Sequence, residues 1–207
     1  MPNTFDRFPA ASTADLGLIC GFAFSATAPA RRADISEYPG ALAEAGTVLW
    51  YHLNAAHAGA RRWLLQCGVL PEGASAAVES PDERCRIEAA GDGLLVVLND
   101  LAFEPRADAD EVSRLWAYVT PQMVLTSRAH PLLSTDRLRS EARQGLRIAS
   151  GPALLCLLIE YQIDAIRGLV ETVAHDIDQV EDRILAGGIA QQRHNLGRSR
   201  RTCTHLR

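Results

Sequence analysis

The stretch GPALLCLLIEYQIDAIRGLVETVAHDIDQVEDRILAGG, residues 151–188, decides the fold of the second half of the chain. Ser150 can cap a helix with Pro152 in its first turn, and no strong breaker follows until Gly187-Gly188, which predicts a helix of about 50 Å. Apolar residues recur along it at alternating intervals of four and three. We call them the seam: Ile159, Ile163, Ile166, Val170, Val173, Ile177, Val180 and Ile184. This spacing is typical of coiled-coil packing, and β-branched residues at both seam positions favour higher-order or intramolecular packing.

The apolar pattern restarts after the glycine pair. Ile189, Leu196 and Cys203 follow one another at heptad spacing, with Leu206 beside them. So short a connection makes two helices antiparallel neighbours, so we expect a helical hairpin of residues 150–188 and 189–207 with the two apolar faces together. The second arm is rich in arginine and complements the acidic first arm. The chain reaches Arg207 without a glycine or proline stop, which predicts that this helix continues beyond it.

The residues before this helix alternate strand-like and helix-like segments. The strand signals are LGLICGFAF, GTVLWYHLN, RCRIEAAGDGLLVVLND with a turn at Gly91-Asp92-Gly93, and SRLWAYVTPQMVLTSR with a turn at Thr120-Pro121-Gln122. Helices are predicted at AAHAGARRWLLQC, from Pro71 to about Ser80, and from Leu132 to Ile148 with Ser134 or Thr135 as the cap. Because strands outnumber helices, we expect an α/β (α+β) domain at 16–149, a mixed sheet flanked by helices, after a disordered tail at 1–15.

Composition narrows the functional classes. The formal net charge of -4 gives no electrostatic argument for nucleic-acid binding. The five cysteines are scattered and form no Cys-x-x-Cys pair, which favours free thiols in a reducing compartment over disulfides or a cysteine-held zinc. The most apolar run, GPALLCLLIEYQI, is interrupted by Glu160 well short of the roughly 20 residues that span a bilayer. No transmembrane segment is therefore expected within this chain.

The acidic stretch HDIDQVEDRIL raises the possibility of a cation site. With Ile177 and Val180 facing inward, Asp178 and Asp182 fall on the outer face of the helix, in line with Asp164 and Glu171, and His175 lies among them. Asp176 and Glu181 flank the seam. Clustered carboxylates suit hard divalent ions, and zinc also accepts imidazole, so the candidate ligands are His175, Asp178, Glu181 and Asp182. We favour the alternative, a solvated coiled-coil exterior partly neutralised by arginines of the next helix.

Two further histidines are weaker metal candidates. His52 alternates with Trp50 on a predicted strand, and His57 begins the following helix. A strand histidine is more often part of a hydrogen-bonded structure, and Trp50, Trp63 and Trp116 lie on element faces expected in the core. The sequence contains no Gly-x-Ser-x-Gly elbow, Walker loop or His-Glu-x-x-His motif. Enzymatic activity and a tightly bound cofactor are therefore not expected.

The order and spacing of several segments resemble the cytoplasmic part of the CorA superfamily of divalent-cation transporters. The resemblance rests on VETVAHDIDQVEDRIL, a short break, and the arginine-rich LGRSRRTCTHLR. TVLWYHLN with His57 following it, and the hairpin AYVTPQMVLTSRAHPL, are most similar to the ZntB-like zinc-transporter branch. The resemblance spans roughly Leu16 to Arg207.

This resemblance implies a funnel-shaped cytoplasmic regulatory domain of a zinc or magnesium transporter in the inner (plasma) membrane, assembled as a homopentamer around a central pore. Residues 189–207 would begin a stalk helix leading into two transmembrane helices beyond this chain. Zinc or magnesium would be the transported or regulatory ion, and the family associates the acidic helical pair and the subunit interfaces with cation sensing. The alternative function is a soluble coiled-coil adaptor that binds another protein and carries no ion.

Overall fold

The computed structural model describes residues 16–38, 44–79, 84–102 and 112–185. The strands in these ranges are β1 (Leu18–Ser25), β2 (Arg31–Arg32), β3 (Thr47–Asn54), β4 (Arg86–Ala90), β5 (Gly93–Leu101), β6 (Val112–Val119) and β7 (Met123–Arg128). The α-helices are α1 (Ala58–Gln66), α2 (Glu72–Glu79), α3 (Leu133–Arg143) and α4 (Gly151–Leu185). The predicted N-terminal tail and the second arm of the helical hairpin lie outside the described residues.

The strands form one seven-stranded mixed sheet in the order β2-β1-β3-β7-β6-β5-β4. β3 and β7 pair in parallel at its centre, and the other pairs are antiparallel. The predicted turns at Gly91 and Pro121 join β4 to β5 and β6 to β7. Because β3 and β7 are parallel, their carboxyl ends lie at the same end of the sheet, where Asn54 is opposite Arg128.

Helices cover both faces of the sheet, because side chains alternate between the two faces along each strand. Tyr51 of β3 belongs to a core cluster with Trp63 of α1, whereas its neighbour Trp50 belongs to a second cluster with Leu158 of α4. Trp50, Trp63 and Trp116 are all buried, as the sequence predicts. The result is a three-layer arrangement with α1 and α2 on one face and α3 and α4 on the other.

Helix α3 is shorter than predicted. It ends at Arg143 rather than Ile148, because Gly145 follows with a φ of 90° that a helix cannot accommodate. Its N-cap is Leu132, which makes no side-chain cap hydrogen bond, so the predicted caps are wrong. The Ser134 hydroxyl donates to the Asp100 carboxylate of β5, and the Thr135 hydroxyl donates to the Leu132 carbonyl. These bonds tie the first turn of α3 to the sheet.

Helix α4 begins in close contact with the β6–β7 turn. The Gly151 amide donates to the Pro121 carbonyl at 2.7 Å, and a Cβ on Gly151 would lie 2.0 Å from the Thr120 carbonyl oxygen, so only glycine fits. The buried residues of the first turns pack over the sheet: Leu154, Leu155, Leu158 and Tyr161. The long helix predicted from the sequence thus starts with a segment anchored in the core.

The seam beyond this anchor is only partly enclosed. Ile163, Val170 and Ile177 are 51%, 55% and 38% exposed, whereas Ile166 and Val173 are half-buried and Val180 is buried. The expectation that Ile177 faces inward therefore holds only in part. None of the described helices combines the length and apolar character needed to cross a membrane.

Candidate functional site

The acidic face of α4 carries the carboxylates expected for cation binding. His175, Asp178 and Asp182 are exposed at helical spacings of three and four residues, so they share one side of the helix. The His175 imidazole makes a hydrogen bond to the Gln179 side chain, with 2.8 Å between Nε2 and the amide nitrogen. Glu181 lies within α4, but its side chain is outside the described residues. α4 therefore presents these groups outward.

Within the described ranges, no three His, Cys, Asp or Glu side chains converge closely enough to hold a metal ion. Further along the same face, Asp164 is already paired with the Arg137 guanidinium at 3.1 Å. A single face of one helix offers a cation few ligands, since calcium takes six to eight oxygens and zinc takes four ligands. Cation binding by His175, Asp178, Glu181 and Asp182 remains a prediction that needs ligands from elsewhere.

His52 lies at the centre of a buried polar network. It is 1% exposed, and both ring nitrogens are occupied: Arg128 Nε donates to Nε2 at 2.8 Å, and Nδ1 lies 2.7 Å from the Thr126 hydroxyl. Because Nε2 accepts from Arg128, the proton must lie on Nδ1, which donates to Thr126. The Trp50 indole also donates to the Thr126 hydroxyl, at 2.8 Å. The Thr126 oxygen thus receives two buried donors.

The network extends from His52 to charged groups at the carboxyl edge of β7. The Arg128 guanidinium lies 3.5 Å from the Asp136 carboxylate, which also pairs with Arg139 at 2.8 Å. Burial lowers the pKa of His52 well below its ordinary value, and the nearby Arg128 and Arg139 charges lower it further. Burial also lowers the pKa of Arg128. The network therefore holds a neutral imidazole against a charged guanidinium.

His57 has a structural position at the start of α1. Its Nδ1 accepts a hydrogen bond from the Gly59 amide at 3.2 Å, so it serves as the N-cap of the helix. Gly17 lies so close that an added Cβ would be 2.7 Å from the His57 Cβ. Hydrogen bonding and capping thus account for His52 and His57, and metal ligation by either histidine remains a prediction.

Sequence reasoning missed the partners of His52. Thr126 and Arg128 belong to a stretch predicted only as the second strand of a pair, and Asp136 to a helix predicted to be capped by Ser134 or Thr135. A partial signal was present, since Thr126, Ser127 and Arg128 are polar residues at the end of a strand whose earlier positions are apolar. Their pairing with His52 spans more than seventy residues, which no local pattern reveals.

Comparison with known proteins identifies the family. A family model described as CorA-like Mg2+ transporter protein matches residues 45–207, well over half of the chain. The chain belongs to this family. The resemblance inferred from the order of its sequence segments is therefore confirmed.

Several individual proteins and solved structures are similar to this CorA-like chain. The zinc transport protein ZntB of Yersinia enterocolitica serotype O:8 / biotype 1B is 23% identical over 147 residues, which cover 71% of this chain and 43% of that protein. The structure of the full-length CmaX protein has a TM-score of 0.84 at 23% identity and covers 96% of this chain and 61% of that one. The ZntB cytoplasmic domain from Vibrio parahaemolyticus RIMD 2210633 has a TM-score of 0.65 at 16% identity, covering 79% and 64% of the two chains.

The two solved structures confirm the fold class of the CorA-like chain, a mixed sheet flanked by helices with a long C-terminal helix. The chain spans less than half the length of the curated relatives it matches. The family is one of transporters rather than an enzyme class.

Proposed function

We propose that this chain is the cytoplasmic domain of a CorA-like integral membrane transporter for a divalent cation, with zinc or magnesium as the cargo. The match of residues 45–207 to the CorA-like family carries this proposal. The fold shared with the ZntB cytoplasmic domain from Vibrio parahaemolyticus supports it. In the whole protein, the helix after Gly188 would lead into membrane-spanning segments, and the chain itself would perform no catalysis.

The exposed part of the seam supports assembly into an oligomer, which we propose to be a homopentamer. Ile163, Val170 and Ile177 are spaced by heptads, and all three side chains are exposed by about a third or more. Heptad spacing of this kind suits packing against another helix. The same stripe would suit a second candidate function, an adaptor that binds another protein through a coiled coil without transporting ions.

We further propose that the acidic face of α4 senses the cation. Carboxylates on neighbouring copies repel one another, so an ion bound between them would favour one packing of the helices over another. The exposed positions of Asp178 and Asp182 support this role, because both carboxylates are open to ligands from a second helix. His175 supplies an imidazole on the same side, which suits zinc.

Transport is tested by extending the gene past Arg207 and assaying the whole protein. We expect two apolar runs of about 20 residues each, as needed to cross a bilayer. Purified protein in liposomes loaded with a zinc-sensitive or magnesium-sensitive dye should admit the cation faster than empty liposomes. A stop codon directly after Arg207, together with a coiled-coil partner, would establish the adaptor instead.

Cation sensing is tested by isothermal titration calorimetry with zinc chloride and magnesium chloride. The variant Asp178→Asn/Glu181→Gln/Asp182→Asn should bind the ion about tenfold or more weakly, because coordinating groups are removed. The matched control is Glu72→Gln/Glu88→Gln/Asp92→Asn, which removes the same charge from exposed positions outside α4. Equal affinities of the wild type and the α4 variant would refute a sensing role.

A further inference from the structure

An open cleft of about 980 Å³ lies between the carboxyl edge of β7, helix α3 and helix α4. Its charged lining residues are Arg128, Arg137, Arg139, Arg143, Asp136 and Asp164. We call it the arginine cleft. Its volume lies within the range of small-molecule sites, and the last residue of β7, Arg128, is part of its lining. The candidate cation ligands His175, Asp178, Glu181 and Asp182 do not line this cleft, so it needs a separate explanation.

The lining charges of the cleft do not cancel. Asp164 pairs with Arg137 at 3.1 Å, so Asp136 is the remaining carboxylate among the lining residues. Asp136 already pairs with Arg128 and with Arg139. Among the described residues, Arg143 has no carboxylate partner. The lining itself carries four arginines and two carboxylates, in a chain whose formal net charge is -4. Glu141, 3.2 Å from Arg137, and Asp100, whose charge acts on Arg128, reduce this excess but leave Arg143 unpaired among the described residues.

Arg128, Arg139 and Arg143 all line the cleft. Arg139 and Arg143 are one helical turn apart on α3, where like charges repel by a few tenths of a kcal/mol. The charges of Arg139, Arg143, Arg128 and Asp136 all act on the half-buried thiol of Cys20. Burial outweighs the arginines and raises the pKa of Cys20 to about 12, so the thiol supplies no balancing negative charge.

Two of the guanidinium groups in the cleft, those of Arg128 and Arg139, are held in place before any ligand arrives. Arg128 is 6% exposed and fixed between His52 Nε2 at 2.8 Å and the Asp136 carboxylate. Arg139 is fixed by the other oxygen of Asp136. A ligand that bound here would lose little entropy to ordering these side chains, and fixed planar guanidinium groups match the oxygens of phosphoryl groups.

We propose that the arginine cleft binds a compact polyanion with two or more phosphoryl groups, free or carried on a nucleotide. The excess of guanidinium groups over carboxylates in the lining favours an anion, and Arg128 of β7 with Arg139 and Arg143 of α3 can each contact a different phosphoryl group. The Tyr161 ring in the cleft is buried and already covered by the Arg137 guanidinium, 4.0 Å from the ring centroid. It offers no free face to a base, so recognition rests on the phosphoryl groups.

The proposal is tested with the 207-residue chain in metal-free buffer without a chelator by titrating sodium pyrophosphate and, separately, ADP. We expect both probes to bind, and to bind more weakly as salt increases. Arg143→Gln should weaken both by about tenfold or more, the worth of a hydrogen bond to a charged group. The control Arg147→Gln removes an exposed arginine that does not line the cleft and should leave both affinities unchanged.

Arg143 is exposed, so its substitution should leave the fold intact, which far-UV circular dichroism checks. A second variant, Ser140→Asp, places a negative charge at an exposed position of the lining and should also weaken binding. Tighter binding of ADP than of pyrophosphate would identify a nucleotide as the source of the phosphoryl groups, and equal binding a free polyanion. The proposal is overturned if neither probe binds the wild type, or if Arg147→Gln weakens binding as much as Arg143→Gln.

Discussion

Replacing Thr126 by valine should remove the acceptor at the centre of the buried network while keeping the shape of the side chain. The Trp50 indole and the His52 Nδ1 group both donate to the Thr126 hydroxyl, at 2.8 Å and 2.7 Å. Thr126 is fully buried, so water cannot replace the lost acceptor. Two buried donors would be left without partners.

The magnitude follows from the cost of unsatisfied donors. Each buried donor without a partner costs about 1–3 kcal/mol, so Thr126→Val should lower the free energy of unfolding by about 2–6 kcal/mol. This is a large share of the free energy of unfolding of a typical native protein, which is about 5–15 kcal/mol. Thr126→Ser is the matched control: it keeps the hydroxyl, loses one methyl group, and should cost only about 1 kcal/mol.

The assay is urea unfolding followed by tryptophan fluorescence and far-UV circular dichroism. With a slope typical of a domain of this size, Thr126→Val should lower the urea midpoint by about 1 M or more. The reasoning fails if Thr126→Val is as stable as Thr126→Ser, because the hydroxyl would then contribute nothing beyond its shape.

Two further predictions concern His52 and a pair of glycines. The pKa of His52 is lowered in the folded protein, so below about pH 6.5 the unfolded chain binds one more proton than the folded one. The free energy of unfolding should therefore fall as the pH falls, by up to about 1.4 kcal/mol per pH unit. Urea unfolding between about pH 5.5 and 7 should show that stability depends less on pH in His52→Gln than in the wild type. An equal pH dependence of the two proteins would contradict the assignment. Gly21→Ala should destabilise the fold, because the new Cβ would lie 2.2 Å from the Ala33 carbonyl oxygen. Overpacking and the backbone shifts it forces should together cost several kcal/mol. Gly168→Ala should stabilise the fold by about 0.5–1 kcal/mol, because its Cβ meets open space within α4. The thermal unfolding midpoints of the two variants should therefore shift in opposite directions.

The sheet was predictable because each long strand carries its own signal. The run TVLWYHLN is rich in β-branched and aromatic residues, and it forms β3 as expected. β2 was missed since Arg31 and Arg32 make a two-residue edge strand with no apolar pattern. The nearby capping box of Asp34 and Glu37 does follow a sequence rule, and it encloses only a three-residue 3-10 helix.

The limits of the sequence lay in contacts between distant segments. Helical periodicity identifies the apolar face of α4, but it does not say which of Ile163, Ile166 and Val170 is covered. The end of α3 depends on the positive φ of Gly145, whereas the apolar pattern continues to Ile148. The charge balance of the arginine cleft likewise depends on tertiary folding, which brings Arg128 of β7 beside Arg139 of α3.

The length of α4 has a mechanical consequence. The buried residues that anchor it in the core occupy the first third, from Leu154 to Tyr161, whereas the helix continues to Leu185. The remaining 24 residues extend for about 36 Å, at about 1.5 Å per residue. A tilt of about 5° at the anchor would carry the far end through about 3 Å, comparable to the helix shifts that switch proteins between states. A helix that pivoted at this anchor would act as a lever arm, so a repacking of the core by tenths of an ångström would be amplified along its length.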